Sequence, residues 1–106
     1  MELIKGGICA AKGFLAGGVH CGIRKNRSKK DLALIYSEVP ASAAAVYTTN
    51  LVKGAPLIVT KNNIADGKAQ AIILNSGNAN ACTGETGAQN ALRMATKNGN
   101  DGCSIL

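Results

Sequence analysis

Residues 73–87, ILNSGNANACTGETG, gather the side chains of this chain that are best suited to chemistry. An apolar run ends at Leu74. Asn75, Asn78 and Asn80 then follow closely, among Ser76, Gly77, Thr83 and Gly84. An asparagine amide both donates and accepts hydrogen bonds, so such a cluster can hold a carboxylate, an amide or a developing oxyanion. Small residues let a ligand approach the backbone, and the free N–H groups that open a helix favour negative charge. The same residue types also build turns, because they tolerate unusual dihedrals and bond to their own backbone. Composition leaves turn and site both open. If the stretch is a site, its pocket-lining residues are Asn75, Ser76, Asn78, Asn80, Thr83 and Gly84. It is not a phosphate loop, since G-x-x-x-x-G-K-[ST] is absent.

Other chemistry-bearing residues are sparse. Cys9, Cys21, Cys82 and Cys103 show no C-x-x-C spacing, which gives no zinc pattern. His20 and Cys21 are neighbours, and neighbours on a strand face opposite sides. The expectation is four free thiols, mostly buried, in a reducing cytoplasm, with no bound metal. The single histidine has no carboxylate at motif spacing, so it reads as structural.

The elements that would position the loop follow from periodicity. Residues 13–24, GFLAGGVHCGIR, read as a Gly-rich strand with a bulge at Gly17–Gly18. Residues 31–39, DLALIYSEV, read as a strand with both faces covered, broken by Pro40. A third strand is expected around Ala45–Thr49. APLIVTKNNI (55–64) fits either a short helix opened by Pro56 or a strand. AQAIILN (69–75) reads as a buried strand. From Gly84 the period changes: Ala88, Ala91, Leu92 and Ala95 share one helical face, with Thr83 as N-cap and Glu85 in the first turn. Asn98–Gly99 would end this helix, and the tail shows no period. The order strand–strand–strand–(strand or helix)–strand–helix predicts an α/β (α+β) unit with a helix packed on a sheet.

Composition sets the outer bounds. A 106-residue chain with 46% hydrophobic residues supports one domain with a thin core. Aromatics are only 3%, so Ala, Val, Ile and Leu must fill it. The net charge of +6 is concentrated in RKNRSKK (24–30). That run reads as a solvated hairpin loop, or as an attractor of anionic substrates. Stacking aromatics are nearly absent, so no nucleic-acid partner is expected. No apolar run approaches membrane-spanning length, so no membrane partner is expected either.

Several stretches carry a resemblance: KGF, GVHCGI, KDLALI, VPASAAAVYTTN and above all NSGNANACTG. From about Ile8 to about Thr96 the chain closely resembles the N-terminal part of the arginine-biosynthesis glutamate N-acetyltransferases, also called ornithine acetyltransferases. The resemblance implies the N-terminal part of an αββα sandwich of the N-terminal-nucleophile-like type. It implies acetyl transfer from N-acetylornithine to glutamate, with acetyl-CoA as a further possible substrate and no other cofactor. It also implies a cytoplasmic precursor that cuts itself before an internal threonine. That threonine then serves as nucleophile at the head of a second chain.

On this resemblance no catalytic residue falls within the chain. The family's P-N-M-A-T-M-L cleavage block is absent; Met94-Ala95-Thr96 lacks its lead-in and lies on the helical pattern. The family's oxyanion pair belongs to a later S-T-G-x-x-G motif, which Thr83–Gly84 in ACTGETG does not match. Its substrate-binding lysine, glutamate and asparagine also lie beyond residue 106. The expectation is therefore one partial domain over residues 1–106 with an atypical tail at 97–106. It would be inactive alone and partnered by the remainder of an alpha chain and by a beta chain. Alternative readings are a fragment of a related N-terminal-nucleophile amidohydrolase, such as a β-aminopeptidase, or a noncatalytic anion-binding module.

Overall fold

The computed structural model describes residues 1–97 and 103–105. A short 3-10 turn, Gly7–Ala10, precedes β1 (Phe14–Val19) and β2 (Leu32–Ser42). Helix α1 (Ala55–Asn63), β3 (Lys68–Asn75), α2 (Gly84–Lys97) and β4 (Cys103–Ile105) follow. The sheet order is β1-β2-β3-β4. The β1–β2 and β2–β3 pairs are antiparallel, and β3–β4 is parallel. The mixed α+β architecture matches the fold class read from the residues.

The core is small and sits under the helices. Ile73 of β3 is 3% exposed and packs with Val59 of α1 and with Ala91 and Ala95 of α2. Leu32, Ala71 and Met94 border this cluster. Alanines dominate the α2 contribution, which lets the helix approach the sheet closely. Ala91 and Ala95 lie on the face that the 3.6-residue period marks as apolar.

Several expectations are corrected. The first strand stops at Val19 instead of running to Arg24, and Gly17 and Gly18 pair in regular register without a bulge. Residues after Val19 leave the sheet because their N–H groups turn to a side chain, described below. The second strand continues past Pro40 to Ser42. The proline is accommodated where the β2–β3 register shifts between Tyr36 and Ala41, so its missing N–H costs no ladder bond. Leu34 and Tyr36 remain 38% exposed, so β2 is not covered on both faces.

No strand forms at Ala45–Thr49; Val46 is fully exposed, and apolar alternation without a pairing partner makes no strand. Residues 55–63 are a helix, with Pro56 in its first turn, where the lost N–H would have been unpaired anyway. The tail contains β4, which extends the sheet beside Ala71–Ile73; three residues are too few to show a period. The expected stop at Asn98–Gly99 lies outside the described residues. Cys9, Cys21 and Cys82 are free thiols as expected but exposed, since each stands in a turn or loop and not on a packed face.

Candidate functional site

β3 delivers the asparagine loop, and the loop ends β3. Asn75 makes the last pair with β2, opposite Leu32. The next N–H, of Ser76, donates to the Asp31 carbonyl at 2.8 Å. Gly77 then turns the chain with φ +91°, a conformation that glycine adopts without strain. Across the loop the Asn75 and Asn80 amides face each other. Asn80 Nδ2 donates to Asn75 Oδ1 at 3.1 Å, and the return bond is 3.5 Å. The Asn80 carbonyl accepts the Ala55 N–H at 2.8 Å, and Gly54 bridges Ala81. The loop thus caps the start of α1, whose own N-cap, Gly54, has no side chain to do so.

Cys82 and Gly84, with φ of 55° and 62°, swing the chain into α2. Thr83 stands at the N-cap, its carbonyl accepting the Gly87 N–H at 3.2 Å. Its side chain leans over Gly87, where a Cβ would collide with it. Glu85 lies in the first turn, where a carboxylate suits the helix dipole.

Between the loop, α1 and α2 lies a cleft of about 290 Å³. Asn75, Asn78, Asn80 and Thr83 line it; Ser76 and Gly84, grouped with them on sequence grounds, do not. The sequence reading missed the far walls. Ala55, Pro56, Ala91 and Met94 provide an apolar side, and Thr86 and Asn90 of α2 add polar groups. Helical spacing from Thr83 could have indicated Thr86 and Asn90, which fall at i+3 and i+7. Among the described residues no ionisable side chain lines the cleft. They can orient and desolvate a small neutral group through amide and hydroxyl bonds, but they supply no general base. Among the described residues no group of His, Cys, Asp or Glu is arranged for a metal ion.

The β1–β2 connection buttresses the loop, through a residue that sequence reasoning assigned only to a strand. Asp31 is 2% exposed. Its carboxylate accepts the Cys21 N–H at 2.8 Å and the Arg24 N–H at 2.9 Å, and His20 Nδ1 lies 3.1 Å away. These two backbone bonds, helped by the Cys21 thiol and His20, hold its carboxyl well below the usual carboxylate range. The same carboxylate raises the Cys21 thiol above its ordinary value. His20 Nδ1 also lies 3.1 Å from the Lys29 carbonyl. With two oxygens on that nitrogen, Nδ1 carries the proton and ties the ring to the loop it closes.

Of the basic run, Lys25, Arg27, Lys29 and Lys30 are exposed, as a solvated loop requires. Arg24 departs from it: half-buried, it donates from its guanidinium to Ser76 Oγ and packs against Gly77.

A helix-covered, mostly antiparallel sheet that ends in a polar strand–turn–helix cleft belongs, in its solved counterparts, to the N-terminal-nucleophile type of fold. The chain superimposes on the arginine biosynthesis bifunctional protein argJ from Bacillus halodurans with a TM-score of 0.83 and 46% identity, covering 94% of this chain and 56% of that one. The ornithine acetyltransferase of Mycobacterium tuberculosis, solved with ornithine, gives a TM-score of 0.78 and 37% identity, with 92% and 56% covered.

The ArgJ family model matches residues 15–102, and the chain belongs to the ArgJ family. The match runs past Thr96, where the resemblance read from the residues stopped. The arginine biosynthesis bifunctional protein ArgJ of Caldanaerobacter subterraneus subsp. tengcongensis is 59% identical over 97 residues, which cover 92% of this chain and 24% of that relative's length.

Proposed function

We propose that this chain supplies the N-terminal part of an acetyltransferase that moves acetyl from N-acetylornithine to glutamate, with its asparagine cleft as one wall of the acyl-transfer pocket. One observation carries the reading: a family member presents a neutral, amide-lined cleft where a strand hands over to a helix. Asn75 and Asn80 are held by their mutual bonds and form the fixed part of the wall. Asn78 is exposed and makes no bond within the protein among the described residues, so its amide is free to meet a ligand. The apolar side, from Ala55 to Met94, suits an acetyl methyl group and excludes water from the carbonyl. The nucleophile and oxyanion donors come from the rest of the enzyme, which is the chain's partner in this reading.

Replacing the corresponding segment of the Bacillus halodurans relative with residues 8–97 tests the proposal. The hybrid should transfer acetyl from N-acetylornithine to glutamate. A folded hybrid without transfer would refute it.

A further inference from the structure

One residue of the basic run is withdrawn from solvent. Lys25, Arg27, Lys29 and Lys30 are exposed, whereas Arg24 is half-buried. Its Nη2 donates to Ser76 Oγ, its aliphatic stem lies against Gly77, and its Nε is buried without any partner. A buried donor without an acceptor costs free energy, and an apolar side chain of similar length would fill that space without the cost. Stability alone does not account for an arginine here.

Asp31 sets both sides of this contact. Its carboxylate accepts the Arg24 N–H at 2.9 Å, and its carbonyl accepts the Ser76 N–H at 2.8 Å. Asp31 is 2% exposed, so one buried residue fixes the basic loop and the asparagine loop against each other. The contact falls on the exposed middle of the asparagine loop. Asn75 and Asn80 hold each other through their amides, while Ser76, Gly77 and Asn78 between them are exposed. The hydrogen bonds that tie this stretch to its neighbouring loop come from Asp31 and Arg24, both to Ser76.

We propose that Arg24 is a positioning residue: anchored by Asp31, it holds Ser76 and Gly77 so that Asn78 meets the cleft at a fixed place. Arg24 does not itself line the cleft and acts through the loop. The assignment rests on reading the cleft as the acyl-transfer pocket and adds what sets the Asn78 part of its wall.

Two variants remove the same bond from opposite sides. Arg24→Met keeps the stem against Gly77, and Ser76→Ala keeps the arginine. In both, backbone NMR relaxation of the 106-residue chain should show order parameters at Gly77 and Asn78 falling from about 0.85 to below about 0.6, with Ile73 and Asn75 unchanged. Melting temperatures should fall by no more than about 5 °C, the scale of one exposed hydrogen bond. The double variant should match either single one, and Arg24→Lys, which can still donate to Ser76, should recover part of the order. Unchanged order parameters at Gly77 and Asn78, or a loss of order spread over the sheet, overturn the proposal. Ser76→Ala, at an exposed position, carries the test if Arg24→Met fails to fold.

In the hybrid enzyme Arg24→Met should lower kcat roughly fivefold with KM nearly unchanged, because a misplaced amide weakens an interaction made in the transition state. In an Asn78→Ala background the same change should alter kcat by less than about twofold, since the group it places is gone. Equal fold-losses in the two backgrounds overturn the positioning role. Full activity in Asn78→Ala alone removes the pocket reading instead, and the order parameters then still decide whether Arg24 holds the loop.

Discussion

Gly77→Ala is the sharpest perturbation of the clasp between the basic loop and the asparagine loop. Two costs combine. A side chain at φ +91° is strained wherever it is placed, at about 1–2 kcal/mol for an L-residue. The new Cβ also collides with the Arg24 side chain, which must swing away and lose its bond to Ser76, worth about 1 kcal/mol. The expected loss is about 2–3 kcal/mol, read from urea unfolding as a lower midpoint with an unchanged slope. Gly17→Ala is the control. Gly17 has ordinary backbone and open space around it, so alanine there should be neutral or stabilise by up to about 1 kcal/mol. In an Arg24→Ala background, Gly77→Ala should cost less, because only the backbone strain remains. Equal effects of Gly77→Ala and Gly17→Ala, or no change in the Arg24→Ala background, would refute the clasp.

Three further outcomes follow from the packing and the charges. Ile73→Ala removes the one large aliphatic side chain that β3 puts beneath both helices; it should cost about 2–5 kcal/mol by chemical denaturation, a large share of the stability of a domain with so small a core. Asp31 has a depressed folded pKa, so its contribution is complete above its ordinary value near 3.8 and is lost as pH falls below it. The stability gap between the natural chain and Asp31→Asn should accordingly be constant near neutrality and shrink below about pH 4, as followed by unfolding midpoints across pH. Replacing Lys25, Lys29 and Lys30 together by alanine should move the melting temperature by no more than about 2 °C, because exposed charges contribute little; calorimetry checks this.

The residues made much of this molecule legible, and the gaps have physical causes. AQAIILN was readable as a strand and GETGAQNALRMATK as a helix because each keeps its own period over its length. APLIVTKNNI stayed ambiguous because its apolar run fits either period, and the deciding contact, the Asn80 carbonyl on the Ala55 N–H, lies far along the chain. The strand expected at Ala45–Thr49 failed for the converse reason: local propensity was present and a pairing partner was not. The asparagine loop was recognisable by composition, and four of its six singled-out residues meet at one cleft. Asp31 and Arg24 were not recognisable as its supports, since their roles depend on bringing residues 20–31 against residues 76–77, a tertiary event that no local pattern encodes. His20 meets Asp31, a partner eleven positions away that no motif spacing indicates.

Asn78 is the most direct probe of the claim that the asparagine cleft is a wall of the acyl-transfer pocket. Its side chain is exposed and makes no bond within the protein among the described residues, so its removal leaves the fold unburdened. In the hybrid enzyme, kcat/KM and the melting temperature of Asn78→Ala are measured together. kcat/KM should fall about tenfold or more, the worth of one lost hydrogen bond to the reacting group, with the melting temperature unchanged. Full activity in Asn78→Ala, or a loss of activity matched by a loss of stability, would contradict it.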